Sequence, residues 1–200
     1  MKDKLILKEL YVLGLLKGRV TERSLASKLD ESPAGTAKAL SSLRAQGLVR
    51  RGKNGVGLTS MGRDRLKVVF MGGGFEIIHP GHLHTIEEAK SLGDVLVVII
   101  ARDSTIRRRK RREPVSDEKE RLALVSSLRP VDAAMLGVEG VIYEMLEKVK
   151  PDVVALGYDQ YHAERDVEKE AAARGIRLKV VRLSPALTPI KTTKLIAEFS

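Results

Sequence analysis

Apolar residues recur with two different rhythms along this chain. In the opening segment they return every three or four positions, the period of a helix with one covered face. Leu5, Ile6, Leu10, Leu13 and Leu16 predict a first helix that stops at Gly18. Thr21 stands where an N-cap belongs, ahead of a second short helix ending near Leu29. Asp30, Glu31, Ser32 and Pro33 break the pattern. A third helix is expected over about 34–46, with Ala37, Leu40, Leu43 and Leu48 on its apolar side and Gly47 at its end. Residues 48–59 predict two short strands around a basic, glycine-rich tip.

From Lys67 the rhythm changes. Short apolar runs over 68–71, 95–101, 133–136 and 153–156, and the strand-like stretch 178–182, predict strands, with helices over 82–92, 117–127, 141–149, 162–174 and 193–199. Runs that are apolar at every position suit strands buried on both faces of a parallel sheet. Their alternation with helices predicts an α/β domain over 67–200, a Rossmann-like, doubly wound sheet of five parallel strands, preceded by a small domain over 1–66.

Charge separates the same two segments. The chain carries +10, of which +8 falls in residues 1–66 and +2 in 67–200. Such asymmetry points to a polyanionic partner for the first segment, the plain alternative being a basic, solvated surface. Three helices followed by a basic ribbon resemble a winged helix-turn-helix domain. That resemblance implies DNA binding. The third helix, bearing Thr36, Lys38, Ser41, Ser42 and Arg44, would enter the major groove, and Arg50, Arg51 and Lys53 would touch phosphates. A dimerisation or structural module is the competing expectation.

The chain has no cysteine, which removes disulfides, thiolate zinc sites and cysteine nucleophiles. The longest apolar run, 95–101, is too short to cross a bilayer, and the amino terminus lacks a signal-peptide core. A cytoplasmic protein without membrane contact is expected.

The candidate chemistry sits where the first apolar run of the α/β segment ends, in Met71-Gly72-Gly73-Gly74, followed by His79-Pro80-Gly81-His82 at the expected start of a helix. Glycines there let backbone approach a ligand, and a helix N-terminus at the carboxyl end of a strand favours phosphate. Two imidazoles three residues apart can point into one small volume. The alternatives are two ordinary histidines, or a metal site for which Glu76 is the only nearby third ligand.

The run Gly73-Gly74-Phe75-Glu76-Ile77-Ile78-His79-Pro80-Gly81-His82 is similar to the GTFDxxHxGH signature of the cytidylyltransferase-like nucleotidyltransferases. Ala101-Arg102-Asp103-Ser104-Thr105, the basic loop up to Pro114, Arg129-Pro130-Val131-Asp132 and Gly157-Tyr158-Asp159-Gln160 resemble the archaeal FAD synthetase branch. Two positions depart from the signature: Gly74 stands for the usual Thr and Glu76 for the usual Asp.

The resemblance implies in-line attack by an acceptor phosphate on the α-phosphorus of a nucleoside triphosphate, with no covalent enzyme intermediate. It implies His79, His82, Lys110 and Arg129 as catalytic groups. Gly73, Gly74, Phe75, Gly81, Asp103, Gly157, Asp159, Thr192 and Thr193 are the nucleotide contacts it suggests. Arg121 and Tyr158 are candidates for the acceptor, with Tyr161 a second possible stacking ring. Magnesium or another divalent cation would bridge the phosphates, and a homodimer is the family expectation. FMN with ATP is the expected substrate pair. Glycerol 3-phosphate or phosphoethanolamine with CTP is the alternative, and a DNA-binding regulator with a nucleotide-sensing domain is a third.

Overall fold

The computed structural model describes residues 2–53, 55–139, 143–160 and 162–185. The chain divides into two compact units, residues 1–67 and 68–200.

In the first unit, α1 (Lys2–Lys17), α2 (Glu22–Leu29) and α3 (Pro33–Ala45) precede a hairpin of β1 (Val49–Gly52) and β2 (Gly55–Leu58), and α4 (Ser60–Arg63) follows. Thr21 caps α2 in a reciprocal box with Ser24, and Ser32 accepts from the Gly35 N–H ahead of a first-turn proline at α3. Gly55 has φ +90° and lies against Val20, where a Cβ would fall 2.0 Å from the Val20 carbonyl oxygen, so only glycine fits. The covered positions of α1 are Ile6, Leu7, Leu10, Val12 and Leu13, whereas the expected Leu5 and Leu16 are each 46% exposed, being in its terminal turns. In α3 the stripe is Thr36, Leu40 and Leu43, in line at i, i+4 and i+7. Ala37 is exposed instead. Thr36 is therefore a core residue and cannot read bases.

In the second unit, β3 (Val68–Gly73), β4 (Val95–Ile100), β5 (Ala133–Leu136), β6 (Val153–Leu156) and β7 (Lys179–Arg182) form one parallel sheet in the order β5-β4-β3-β6-β7. The intervening helices are α5 (Pro80–Ser91), α6 (Asp103–Lys110), α7 (Glu118–Ser126), α8 (Tyr143–Val149) and α9 (Glu164–Ala173). The chain steps outward from β3 through β4 to β5, then returns to pair β6 beside β3. Right-handed crossovers therefore send α5 and α7 to one face and α8 and α9 to the other. Val69, Met71, Leu96, Val98 and Ile100 pack with Ile86, Ala89 and Val125 in the core of the first face. All six residues of β4 are buried. The reversal of direction opens a crevice between the carboxyl ends of β3 and β6.

One element differs from expectation. The basic run expected as a loop is mostly helical, because α6 extends to Lys110 before Arg111 ends it at φ +54°. Only Ile106 of α6 is buried, so no apolar period marks it in sequence. The helix expected over 193–199 lies outside the described residues.

Candidate active site

His79 is the N-cap residue of α5, in extended conformation, and Pro80 follows in the first turn. Proline lacks the N–H that would go unpaired there and presets the helical φ. One turn of helix then brings the His82 ring to 4.1 Å from the His79 ring, centroid to centroid. Phe75 adopts a left-handed φ of +52° and is buried. Its ring lies over Gly73, where a Cβ would come within 2.7 Å of it, and stands 5.5 Å from the His82 ring. Phe75 is thus a wedge behind His82 rather than a surface for a nucleotide, and Gly73 is small for the sake of that ring.

The His82 Nδ1 is buried and makes no hydrogen bond among the described residues. Burial, with His79 and Lys110 adding to it against the pull of Asp159, pushes the His82 imidazole down to about 4. Burial lowers His79 as well. Both rings are neutral at pH 7, and an unmet buried polar atom favours any ligand that supplies its hydrogen bond. Lys110 and Asp159 thus act on the His82 ring with opposite electrostatic sign.

Glu76 is buried, and its carboxylate bridges Lys110 and Arg112. Burial alone would raise its pKa. The hydrogen bonds from Arg112 and Lys110 outweigh that and bring it to about 2. A carboxylate so engaged is not a metal ligand.

Arg121 is fully buried, so it is not an acceptor contact. Its guanidinium donates to the Gly74 carbonyl (2.6 Å), the Asp103 carboxylate (2.5 Å) and the Ser116 carbonyl (3.1 Å). Asp103 is correspondingly occupied: Oδ1 accepts from Arg121 and Oδ2 from the Glu118 N–H, while Glu118 accepts from the Asp103 N–H. These two residues tie the histidine loop to the starts of α6 and α7, rather than presenting groups to a nucleotide.

Across the crevice, the loop after β6 holds Gly157, exposed Tyr158 and exposed Asp159. Two residues that the sequence reading left out of the site shape this loop. The Gln160 side chain donates to the Gly72 carbonyl (2.7 Å) and accepts from the Gly157 N–H, joining the ends of β3 and β6. Arg182 donates to the Gly157, Gln160 and His162 carbonyls and to Glu164. A charged residue closing strand β7 at the carboxyl edge was the available signal. Beside Gln160, a small, mostly apolar pocket is lined by Phe70, Gly72, Tyr143, Leu146 and His162 among others.

Arg129 falls at the other end of the sheet. It lies on the segment entering β5, whose Asp132 accepts from the Leu96 N–H near the start of β4. The geometry does not bring Arg129 to His79, because strands in a parallel sheet all enter at one edge and leave at the other. Thr192, Thr193 and Tyr161 lie outside the described residues. The crevice thus gathers His79, Gly81, His82, Lys110, Gly157, Tyr158 and Asp159.

A cytidylyltransferase-like family model matches residues 70–198. The chain is 54% identical over 114 residues to a Methanothermus fervidus protein named FAD synthase, covering 56% of this chain and 78% of that one. It is 50% identical over 111 residues to an Aciduliprofundum boonei protein of the same name, covering 56% and 74%. A solved structure of the lipopolysaccharide core biosynthesis protein from Thermoplasma volcanium matches with a TM-score of 0.58 and 45% identity, over 60% of this chain and 98% of that one. The chain belongs to the cytidylyltransferase-like family, and it is a nucleotidyltransferase. Residues 1–69 lie outside the matched segment.

Proposed function

We propose that the α/β unit is an FMN adenylyltransferase. A phosphate oxygen of FMN attacks the α-phosphorus of ATP in line, a new P–O–P link forms, and the bond to pyrophosphate breaks, giving FAD. The pairing of neutral His79 and His82 at a helix start in the switch-point crevice is the observation that carries the phosphate chemistry. Donors fixed before reaction stabilise the charge that builds on phosphoryl oxygens, each worth about 3 kcal/mol in comparable sites. The acceptor and base follow from relatives named FAD synthase at half identity. Lys110 adds positive charge at the rim, Asp159 adds negative charge that acts on His82, and Tyr158 offers a ring for stacking.

Nucleotidyltransferases of this kind use a divalent cation, and magnesium is the one proposed. Among the described residues no group of three acidic or imidazole side chains forms a cage. That fits a cation carried largely on the triphosphate, with Asp159 the carboxylate placed to meet it. Bound there, the cation supplies charge neutralisation on the phosphates. A cytoplasmic location and a homodimer are part of the proposal.

The test is turnover. ATP with FMN should yield FAD and pyrophosphate, and CTP with glycerol 3-phosphate should not. Pyrophosphate release only with the second pair would overturn the substrate assignment. Full FAD formation by the His79→Ala, His82→Ala double variant would sink the site assignment.

A second activity concerns the first unit. Residues 32–63 contain Lys38, Arg44, Arg50, Arg51, Lys53 and Arg63 and no acidic residue. Lys38, Arg44, Arg50, Arg51 and Lys53 are all exposed, on α3 and around the hairpin. Exposed cations on a stretch of chain without acidic residues suit a phosphate backbone, and DNA binding is proposed for it. Duplex affinity that falls steeply with salt, and falls less steeply in Arg50→Ala, Arg51→Ala, is the expected result. Salt-insensitive or absent binding would leave a structural module.

A further inference from the structure

Beyond the histidine pair, Glu76, Lys110 and Arg112 form a charged cluster that joins the interior to solvent. The Glu76 side chain has no exposed surface. Burying a carboxylate is costly unless each oxygen is paired, and here each is. Oε1 accepts from Arg112 Nη1 at 2.7 Å and from the Val115 N–H at 3.3 Å, while Oε2 accepts from Arg112 Nη2 at 3.1 Å and from Lys110 Nζ. The cations are unlike their partner: the Lys110 side chain is 43% exposed and that of Arg112 32%. One end of the bridge is fixed in the interior and the other reaches solvent at the crevice. An untethered lysine samples many rotamers, and ordering it costs entropy that a preformed bridge has already met.

Gly74 borders the same cluster. A Cβ there would lie 4.0 Å from both Glu76 Oε2 and Lys110 Nζ and 3.9 Å from Ile106. A methyl group there would already be in van der Waals contact with the bridge, so any larger side chain must share its space with Glu76 and Lys110. The two positions that depart from the signature are therefore neighbours in one cluster.

We propose that Glu76 is a positioning residue whose buried carboxylate holds the Lys110 ammonium at the rim of the histidine crevice, where it meets the nucleotide phosphates, and that a bare Gly74 leaves room for the bridge. Glu76 itself touches no substrate; it acts through Lys110. The coupling between Lys110 and His82 accords with that placement. The proposal rests on the adenylyltransferase assignment of the crevice.

A double-mutant cycle on the full chain tests it, with wild type, Glu76→Gln, Lys110→Met and the pair. MgATP binding is read by calorimetry, and kcat and KM by FAD formation. Glu76→Gln should weaken MgATP binding about tenfold and raise KM for ATP more than KM for FMN, while in the Lys110→Met background the same change should cost less than about twofold. Glu76→Asp, which keeps the charge with a shorter reach, should recover part of the loss. Equal losses in both backgrounds, or none in wild type, overturn the proposal. If Glu76→Gln does not fold by circular dichroism, Glu76→Asp takes its place in the cycle under the same criteria. Wild type that binds MgATP yet forms no FAD defeats only the substrate assignment, since binding still reads the cycle. Wild type that binds no MgATP overturns both.

Discussion

The two edges of the parallel sheet use the same residue types to opposite ends. At the amino edge, Asp132 accepts from the Leu96 N–H (2.7 Å) and Lys90 (2.5 Å), and Asp152 accepts from the Val68 N–H (2.6 Å). Each carboxylate there closes the backbone at a strand start. At the carboxyl edge, Asp103 and Glu76 hold cations instead of strand ends, and His82 keeps a buried nitrogen without a hydrogen bond among the described residues. One edge is finished by its own atoms; the other is organised around a gap that a ligand completes. The difference teaches that a charged residue in this fold is assigned by the edge its strand delivers it to.

The sharpest way to break the comparison is Arg121→Met. It leaves Asp103 Oδ1 and the Gly74 carbonyl without the Arg121 donor, and loss of one partner from such a cluster costs about 3–5 kcal/mol. Thermal unfolding should show that loss, with activity falling in parallel as the histidine loop comes adrift. If stability is retained, Arg121 does not tie the two segments together.

Next in size is His82→Ala. A donor used only as charge builds in the transition state should cost about 10²–10³ in kcat, with KM for ATP little changed. The stability loss should be confined to the ring's packing against Phe75 and His79, because among the described residues Nδ1 makes no hydrogen bond for the variant to lose. An effect on KM alone would make His82 a ground-state contact. At the finished edge the pattern should invert. Asp132→Ala strands a Leu96 N–H and should cost about 1–3 kcal/mol of stability while leaving the kcat of the folded protein near wild type. Denaturant titration beside steady-state kinetics checks both.

Much of this was legible in the sequence, and the limits have physical causes. Continuous apolar runs identify β3 to β6, because burial on both faces leaves no charged position, whereas the edge strand β7 carries Lys179 and Arg182 around its two valines. The histidine pair is legible because helix geometry alone brings residues three apart together. Arg121, Arg129 and Lys110 are indistinguishable as letters. Burial separates the first, strand direction the second, and a carboxylate 34 positions away fixes the third. Glu76 reads as a possible metal ligand until Arg112 and Lys110 are seen on its two oxygens. The helix α6 escapes because a single buried residue, Ile106, leaves no period to find.

Titration gives a smaller effect that still separates the groups of the carboxyl edge. His82 is held at about 4 against 6.5 in the unfolded chain, so the folded state binds fewer protons between those values. Stability should therefore fall as pH drops through that window, by at most about 1.4 kcal/mol per pH unit for one proton. Glu76, at about 2 against 4.5, contributes stability that is present above 4.5 and is lost as pH falls towards 2. His82→Gln should remove the first slope and leave the second. A triphosphate beside the ring favours the protonated form, so ATP binding near pH 5.5 should take up a proton that His82→Gln does not. Calorimetry in buffers of different ionisation enthalpy reads that uptake directly.

The smallest expected effect is the one that tests the edge rule most cleanly. Arg129 is exposed and sits on the segment that enters β5, beside the Asp132 cap rather than beside His79. Its charge is separated from the crevice by the length of the strands, and across solvent a charge at such a distance is screened. Arg129→Ala should change kcat and KM by less than about twofold and stability by no more than about 0.5 kcal/mol, the range of an ordinary surface substitution. Measured beside Lys110→Met, it compares two cations that the family resemblance assigns the same role. A loss in Arg129→Ala as large as that in Lys110→Met would mean that Arg129 reaches an active site from somewhere other than its own sheet, and the partner subunit of a homodimer would then be the source to examine.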